Sequence, residues 1–375
     1  MRQCSRKKVK FIAFYLPQFH EIEENNKWWG KGYTEWTSVM AALPLYRGHE
    51  QPRVPYRNNY YNLLNKDIMM WQSKISMQAG INGFCFYHYW FKGKKVLEKP
   101  IENYLKWKDI PQQFCLSWAN DSWVRSWSNV QGTIWNSKIE KDVNVDHQNN
   151  GLLIEQDYGD QNVWKEHFDY LIEFFLDERY IKIDNKPLFL IHRPESIKRL
   201  TSMILFWNKL SHQYGFDGIH VVVTNPIKIY REPVCGCVYY EPARVFDYKP
   251  IKRRIYESVH VRDEKKLVRR YSYTNLWIKI LKSKPNQKMK TYLGAFVGYD
   301  DSPRRGYQGY IVKGNTPLKF QIFMQLLMKK WEFSEQYGEF IFITAWNEWA
   351  EGAYLEPDKK SRYEYLKALQ KVKRG

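Results

Sequence analysis

Two glutamates near the end of the chain have the type and spacing needed for acid–base chemistry. The stretch TAWNEWAEGAYLEPD (344–358) follows the apolar run EFIFI, so Glu348 and Glu351 come directly after a predicted buried strand. Three residues apart on a turn, both carboxylates can face one ligand. Paired carboxylates with aromatic neighbours are typical of glycosidic bond cleavage. One must be held protonated by apolar or like-charged surroundings while the other stays ionised.

Trp346 and Trp349 flank this pair, and they are predicted to form an apolar wall and a stacking platform for a sugar ring. The same acids are also compatible with binding a divalent metal, but further His or Asp ligands do not occur at a convincing spacing. We therefore expect no metal and no cofactor. A structural pair of surface acids is the remaining alternative.

Eight short apolar runs precede or contain the candidate site residues. They are nearly continuous rather than alternating, which is typical of parallel strands buried on both faces. The runs are VKFIAFY (9–15), INGFCFYHYW (81–90), QFCLSWAN (113–120), PLFLIHRP (187–194), GIHVVVTN (218–225), VCGCVYYEP (234–242), TYLGAFVGYDD (291–301) and EFIFITAWNEW (339–349).

Helix-compatible segments lie between these runs, at 66–79, 163–178, 197–212, 317–336 and 361–373. Eight strands alternating with helices predict an α/β fold, a (β/α)₈ TIM barrel. A doubly wound sheet is the rival, but no GxGxxG follows the first run. We expect a single domain, 1–375, with long loops after strands 1, 3 and 6, at 19–58, 121–162 and 244–290.

In such a barrel the residues just after each strand gather at one mouth. Almost all of the residues at these positions are polar or aromatic, which a barrel used only as a scaffold would not need. The predicted substrate-binding residues are Tyr15, His88, Tyr89, Trp118, Asn120, Asp121, His192, Glu241, Asp300, Arg304, Trp346, Asn347 and Trp349.

The chain has a formal net charge of +19, and the segment 244–290 is dense in Lys and Arg. We predict that this segment forms a positive face that holds the protein near anionic lipid or a lipid-linked glycan; a solvated surface is the alternative. A nucleic-acid partner is disfavoured, because a carboxylate-lined mouth repels phosphate. The five cysteines have no CxxC spacing, and neither a cleavage site nor a long apolar run is present, so we expect the protein in the cytoplasm. The basic segment would place it peripheral to the inner membrane.

Six motifs carry a resemblance to a known family, and they are spread over nearly the whole chain, from residue 14 to residue 358. They are FYLPQFHEIEENNKWWGKGYTEW, GHEQPRVPY, GFCFYHYWFKGKKVLEKP, FCLSWANDSWVRSW, FLDERYIKIDNKPLFLIHRP and ITAWNEWAEGAYLEPD. The sequence resembles glycoside hydrolase family 99-like, or WbsX-type, proteins. These are often encoded with bacterial surface-polysaccharide biosynthesis genes, and they have been labelled glycosyltransferases. Their better-understood relatives are endo-α-mannosidases built on a (β/α)₈ barrel.

The resemblance implies a mechanism for the motif N-E-W-x-E-G, present here as 347–352. In the endo-α-mannosidases, retention is thought to run through a 1,2-anhydro sugar. Carried over, Glu348 is the base that removes the 2-OH proton, and Glu351 is the acid that protonates the leaving oxygen. The segment GYDDSPR (298–304) is similar to a substrate-binding loop after strand 7. One position departs from the family: Ala350 replaces a His, which puts mannose specificity in doubt.

Three function classes follow. We expect a retaining glycoside hydrolase or transglycosylase acting on a bacterial surface polysaccharide, such as the lipopolysaccharide O-antigen or a capsule. A glycosyltransferase is the alternative, although neither a D-x-D metal motif nor a Rossmann-type phosphate site is evident. A non-catalytic glycan-binding barrel is the third possibility.

Overall fold

Eight parallel strands close into one barrel in the computed structural model, which describes residues 8–124, 151–246 and 268–374. Neighbours along the chain pair with one another, and β1 pairs in parallel with both β2 and β8, so the sheet has no open edge. This confirms the predicted (β/α)₈ barrel. The barrel strands are β1 (Lys10–Tyr15), β2 (Ile81–Phe91), β3 (Gln113–Trp118), β4 (Lys186–Ile191), β5 (His220–Thr224), β6 (Val234–Val238), β7 (Lys290–Phe296) and β8 (Tyr337–Thr344).

Each of the eight predicted apolar runs overlaps a barrel strand, with starting points within two residues of each other. Their side chains are buried on both faces, inside the barrel and against the surrounding helices. Such two-sided burial explains why the runs lack the polar alternation of a half-exposed strand.

Helices connect the strands and cover the outside of the barrel. The helices predicted from periodicity all form, with ends within a few residues of the expected positions. The helices are α1 (Glu23–Trp29), α2 (Glu35–Ala41), α3 (Lys66–Gln78), α4 (Lys99–Lys106), α5 (Gln161–Phe175), α6 (Leu200–His212), α7 (Ala243–Phe246), α8 (Tyr273–Lys282), α9 (Ser302–Arg305), α10 (Pro317–Glu332) and α11 (Glu364–Arg374).

Side chains fix where several helices begin. Asp160 accepts hydrogen bonds from the backbone N–H groups of Asn162 and Val163, and so caps α5. Thr316 caps α10 by accepting from the Lys319 N–H, and Pro317 follows it at the first helical position. Both patterns satisfy N–H groups that have no partner inside the helix.

Long connections follow β1, β3 and β6. The one after β1 carries α1, α2 and the 3₁₀ turn Tyr56–Asn58 before α3 begins. Parts of the predicted loops 121–162 and 244–290, namely 125–150 and 247–267, lie outside the described residues. The remaining short elements are the strands Lys94–Val96, Trp123–Val124, Leu152–Ile154, Lys182–Ile183, Arg269–Ser272, Tyr310–Lys313, Asn347–Glu348 and Ala353–Tyr354, and the 3₁₀ turns Pro194–Ser196, Gly306–Gln308 and Trp349–Glu351.

Candidate active site

A tight hairpin after β8 holds the two candidate catalytic glutamates. Asn347–Glu348 pairs in antiparallel fashion with Ala353–Tyr354, and the 3₁₀ turn Trp349–Glu351 joins them. Glu348 therefore lies in a hydrogen-bonded ladder and Glu351 at the end of the turn.

Gly352 closes this turn in the left-handed region, with φ of 56°, and its N–H donates to the Trp349 carbonyl at 3.0 Å. A Cβ at this position would lie 3.0 Å from the Cβ of Asp300, so both conformation and space favour glycine. The conformation of the turn therefore explains why the N-E-W-x-E-G motif ends in glycine.

Arg304 bridges both glutamates. Its Nη1 donates to Glu351 Oε1 at 2.8 Å, and its Nη2 lies 3.3 Å from Glu348 Oε2. A third carboxylate, Glu35 at the start of α2, accepts from the same Nη2 at 2.8 and 3.0 Å. Glu35 Oε1 also accepts from the backbone N–H of Ala350 at 3.0 Å, which ties the loop after β1 to the turn between the two glutamates. Three carboxylates therefore surround one guanidinium. We call Glu35, Arg304, Glu348 and Glu351 the carboxylate cluster.

The carboxylate cluster is largely buried and contains three acidic side chains for one basic side chain. Burial and the nearby Glu351 carboxylate raise the pKa of Glu348 well above its usual range, against the lowering effect of Arg304. Burial also raises the pKa of Glu35, although Arg304 and the Ala350 N–H oppose it. Glu348 and Glu35 therefore hold protons at higher pH than free glutamates do.

The cluster opens into a cavity of about 340 Å³ at the C-terminal ends of the strands. That volume lies within the usual size of a ligand site, about 300–1,000 Å³. Six predicted site residues line this cavity: Tyr89, Asp121, His192, Arg304, Glu348 and Glu351. Burial lowers the pKa of His192 to about 4 despite the nearby Asp121, so this imidazole is neutral near pH 7. A neutral imidazole can exchange hydrogen bonds with a hydroxyl group.

Aromatic side chains form much of the remaining wall. The hydroxyl groups of Tyr87 and Tyr240 lie 2.7 Å apart, and the ring of Trp123 packs edge-on against Trp28 and Tyr89. Flat aromatic faces beside hydrogen-bonding groups suit a sugar ring, which has both apolar and polar faces. The aromatic lining residues are Trp28, Trp29, Tyr33, Tyr87, Tyr89, Trp123, Tyr240 and Tyr299.

Nine of the predicted substrate-binding residues do not line the cavity: Tyr15, His88, Trp118, Asn120, Glu241, Asp300, Trp346, Asn347 and Trp349. The geometry of a strand explains why His88 is one of them. Successive side chains point to opposite faces of a strand, so Tyr87 and Tyr89 face the cavity and His88 points away. His88 instead lies 2.8 Å from His167 on α5, Nε2 to Nε2.

Three of the others form hydrogen bonds with protein groups outside the cavity. Trp118 donates to the Trp90 carbonyl at 3.2 Å. Asn120 exchanges two bonds with the backbone of Arg193, at 2.7 and 2.9 Å. Glu241 pairs with Arg244 at 2.6 Å. These three side chains therefore stabilise the strand ends at the mouth of the barrel and do not line the cavity.

Two of the nine tie the loop after β1 to the loops after β7 and β8. The side chain of Asn347 accepts from the Leu16 N–H at 2.7 Å and donates to the Leu16 carbonyl at 3.0 Å. Asp300 accepts from Gln51 at 2.9 Å and contacts His49 at 2.8 Å. The side chains of both residues therefore position the two glutamates indirectly.

The prediction that Trp346 and Trp349 form a stacking platform for a sugar ring differs most from the structure. Trp346 and Trp349 are fully buried: Trp346 packs against Phe84, and Trp349 stacks on Tyr354 with ring centroids 3.8 Å apart. Neither indole is accessible from the cavity, where Trp28, Trp29 and Trp123 occupy the wall instead. The hairpin turns these two rings into the core as it brings the carboxylates out.

A further buried carboxylate, Glu356, lies directly behind this hairpin. Its Oε2 accepts from the Trp349 indole N–H at 2.7 Å and the Tyr61 hydroxyl at 2.8 Å, and its Oε1 accepts from Gln72 at 2.6 Å. The Tyr15 hydroxyl donates to Gln72 at 2.5 Å. We call Tyr15, Tyr61, Gln72, Trp349 and Glu356 the Glu356 network. Burial raises the pKa of Glu356 to about 7, although the hydrogen bonds lower it.

Sequence reasoning missed Glu35, Tyr87, Tyr240 and Tyr299. The segment KGYTEW, which contains Glu35, was available as a signal, because its acid lies between aromatic residues in the long loop after β1. The tyrosines required knowledge of which face each strand end presents.

The described residues carry no metal-binding cluster: no group of three or more His, Cys, Asp or Glu side chains among them is arranged to hold an ion. Within the same parts of the chain, no helix combines the length and apolar character needed to cross a membrane.

Solved structures with the same fold include a protein described as "Glycoside hydrolase-like protein", with a TM-score of 0.56 and 12% sequence identity over 98% of this chain and 94% of that one. The GH99 endo-alpha-mannosidase from Bacteroides thetaiotaomicron superposes with a TM-score of 0.51 and 13% identity, covering 97% and 95% of the two chains. At such identities the likeness concerns the fold alone.

Sequence comparison identifies the family. Two proteins described as "Uncharacterized protein WxcX", from Xanthomonas campestris pv. campestris strains B100 and ATCC 33913, are 30% and 31% identical over 369 residues. These matches cover 96% of this chain and 49% of each relative, so the chain spans about half the length of these curated relatives. The profile of the family described as "Glycosyltransferase WbsX" matches residues 11–369. The chain therefore belongs to the WbsX glycosyltransferase family.

Proposed function

We propose that this chain is a retaining glycoside hydrolase or transglycosylase that acts on a bacterial surface polysaccharide, such as an O-antigen or a capsule. The observation that carries this proposal is the placement of Glu348 and Glu351 on one hairpin, where both contact Arg304 and both line an aromatic-walled cavity. Membership of a carbohydrate-active family supports the glycan as substrate.

The two glutamates have distinct roles in the proposed reaction. Glu348 removes the proton from the sugar 2-OH, whose oxygen attacks C1, while Glu351 gives its proton to the departing glycosidic oxygen. The resulting 1,2-anhydro sugar is opened at C1 by water or by a sugar hydroxyl that loses its proton to Glu351, and O2 recovers a proton from Glu348. Both carboxyl groups end as they began, and two inversions at C1 give net retention.

The surroundings of Glu348 suit a base that acts on a weakly acidic hydroxyl. A raised pKa makes its ionised carboxylate a stronger proton acceptor, and the Arg304 guanidinium favours that ionised form. Arg304 is placed to hold both carboxylates in position through its two Nη groups.

A glycosyltransferase is the second candidate, and the description of the family favours it. Such an enzyme needs an activated sugar donor, usually a nucleotide sugar. In that case Glu351 or Glu348 would act as the base for the acceptor hydroxyl. A barrel that binds a glycan without turnover is the third candidate.

The deciding experiment incubates the protein with the surface polysaccharide of its host and with α-mannosides, without nucleotide sugar. We expect new reducing ends, or transfer products when an acceptor alcohol is present, with retained anomeric configuration by proton NMR. Glu348→Gln should lose most of this turnover, and Glu364→Gln serves as its matched control, because Glu364 is an exposed acid on α11 that pairs with Lys367. Turnover that appears only after a nucleotide sugar is added would establish the transferase instead. Binding without any turnover would establish the non-catalytic barrel.

We also propose that the glycan is met at an anionic membrane. The dense Lys and Arg of 244–290 motivate this proposal, and residues 247–267 of that segment lie outside the described residues.

A further inference from the structure

The solvent-facing side of α10 carries an apolar stripe. Leu318, Ile322, Leu326 and Phe333, at its C-terminal end, are 65%, 44%, 42% and 89% exposed. At 3.6 residues per turn these four side chains fall within about 80° of the helix circumference and extend over about 22 Å. A helix that only covers a barrel presents polar side chains on this face. Four exposed apolar side chains aligned on one face of a helix therefore indicate an interaction surface, whereas isolated exposed apolar residues do not.

The neighbouring helix α8 widens the stripe into a face. Ile278 on α8 is 39% exposed. Between the C-terminal ends of the two helices lies a groove of about 470 Å³, lined by Leu281, Leu326, Phe333 and Tyr337 together with Lys329 and Lys330. We call this surface the α8–α10 face. It lies on the side of the barrel, away from the cavity.

Charge on and around the face is mainly positive. From residue 268 to residue 331 the sequence contains thirteen Lys and Arg and only two acids, Asp300 and Asp301. Both acids are buried, 1% exposed each. The exposed acids Glu332 and Glu335 flank Phe333 at the C-terminal end of α10 and offset part of the positive charge there. Lys282, Lys284 and Lys329 are exposed beside the apolar side chains.

We propose that the α8–α10 face docks onto the surface of an anionic lipid bilayer, with the stripe inserted at the level of the headgroups and the lysines against lipid phosphates. Apolar side chains flanked by lysines are the composition that binds such surfaces. The excess of lysines over the exposed glutamates Glu332 and Glu335 also argues against a second copy of the chain. A symmetric dimer through this face would bring the lysines of both copies together, which is repulsive.

Docking through this face orients the barrel. α10 follows β7 and runs antiparallel to the barrel strands, so Leu318 lies toward the mouth and Phe333 toward the opposite end. The bilayer then runs along the side of the barrel, and the cavity opens sideways, close to the surface. A glycan attached to a lipid headgroup would reach the carboxylate cluster in this orientation. This consequence rests on the proposed function, whereas the docking itself does not.

Vesicle co-sedimentation tests the docking with the full chain. We expect binding to vesicles of phosphatidylcholine mixed with phosphatidylglycerol, and little binding to phosphatidylcholine alone, at low salt. The double variant Ile322→Ser/Phe333→Ser should lose about tenfold in affinity, because two apolar side chains no longer insert. Lys282→Gln/Lys329→Gln should lose about fivefold per lysine, the equivalent of about 1 kcal/mol each. Leu205→Ser, at a 55% exposed leucine on α6, is the matched control and should bind as wild type.

Three results would overturn the docking. The first is equal binding by the serine double variant and the wild type, which would leave the general positive charge as the whole attraction. The second is no preference for anionic vesicles. The third is a dimer in sedimentation velocity that Phe333→Ser dissociates, because a second copy would then occupy the face. Hydrolysis of a soluble glycan by the serine double variant, measured in parallel, keeps this outcome separate from failure of the proposed chemistry.

Discussion

Two buried carboxyl groups follow β8, eight residues apart, in opposite surroundings. Glu348 meets charged groups, Arg304 and two other carboxylates, and it lines the cavity. Glu356 meets neutral donors, from Trp349, Tyr61 and Gln72, and it is enclosed. The pKa of each is raised, with burial as the largest cause. A raised pKa therefore does not by itself mark a catalytic acid or base. Access to a ligand separates the carboxylate cluster from the Glu356 network.

The largest expected effect separates the two groups by catalysis. Glu348→Gln and Glu351→Gln should each lower turnover by about 10²–10⁴-fold, the usual cost of removing a general acid or base. Both should unfold at nearly the wild-type temperature, since Gln keeps the shape of Glu and removes a buried charge. Steady-state rates on an identified substrate and thermal unfolding give the two readouts. Wild-type turnover in either variant would contradict its assigned role.

Removing Arg304 should produce the next largest effect, this time on stability. Arg304→Met leaves the buried Glu35 and Glu348 without their cation, and breaking such a buried pair typically costs about 3–5 kcal/mol. Ionised carboxylates suffer the loss, so the cost should be larger at pH 8 than at pH 5. Chemical denaturation at both pH values measures it.

Glu35→Gln in the Arg304→Met background is the control for this effect. It removes one of the stranded charges, so the double variant should be more stable than Arg304→Met alone at pH 8. Additive losses would mean that Glu35 and Arg304 do not interact in the way their 2.8 Å contact implies.

A pH series should expose the proton held by Glu356. Its pKa of about 7 in the folded protein lies above the ordinary value of about 4.3 for a free glutamate. Between these values the folded state binds a proton that the unfolded state lacks. This contribution to stability is therefore complete below about pH 4, and it is lost as the pH rises to about 7.

Glu356→Gln isolates that contribution, because Gln does not titrate. The advantage of the wild type over the variant should shrink by about 2–4 kcal/mol between pH 4 and pH 8, the size expected when the pKa rises from about 4.3 to about 7 on folding. Turnover should fall much less than in Glu348→Gln. A stability difference that does not change with pH would contradict a protonated Glu356.

Much of the fold was predictable from the sequence. Strands buried on both faces must be apolar throughout, so each of the eight runs overlaps one, and the helices between them follow from their periodicity. The glutamate pair was predictable for a related reason, since Glu348 and Glu351 directly follow such a run.

The side of the strand that each residue faces was not predictable. A run that is apolar on both faces gives no alternation from which to assign the inward positions, so His88 and Tyr89 were equal candidates. The hairpin after β8 also hid the destination of Trp346 and Trp349. Glu35 reaches the cluster from the loop after β1, and contacts over more than 300 residues depend on how that loop folds back. Such contacts depend on tertiary packing, which local sequence patterns do not encode.

The smallest expected effect concerns Trp349, which follows Glu348 in the chain and belongs to the Glu356 network. Trp349 lies between the two glutamates on the hairpin and donates its indole N–H to Glu356 at 2.7 Å. Trp349→Phe keeps an aromatic ring to stack on Tyr354 but deletes that donor, at a cost of about 1–3 kcal/mol where the carboxylate is charged. The cost should be clear at pH 8 and smaller at pH 5, where Glu356 is protonated, while turnover stays close to wild type. Denaturation at both pH values and rates on the same substrate measure it. Trp207→Phe is the matched core control, because Trp207 is fully buried and its indole N–H donates to the neutral Trp164 carbonyl. A large loss of turnover with little loss of stability would instead place the Trp349 indole in the chemistry, and it would remove the separation between the two regions.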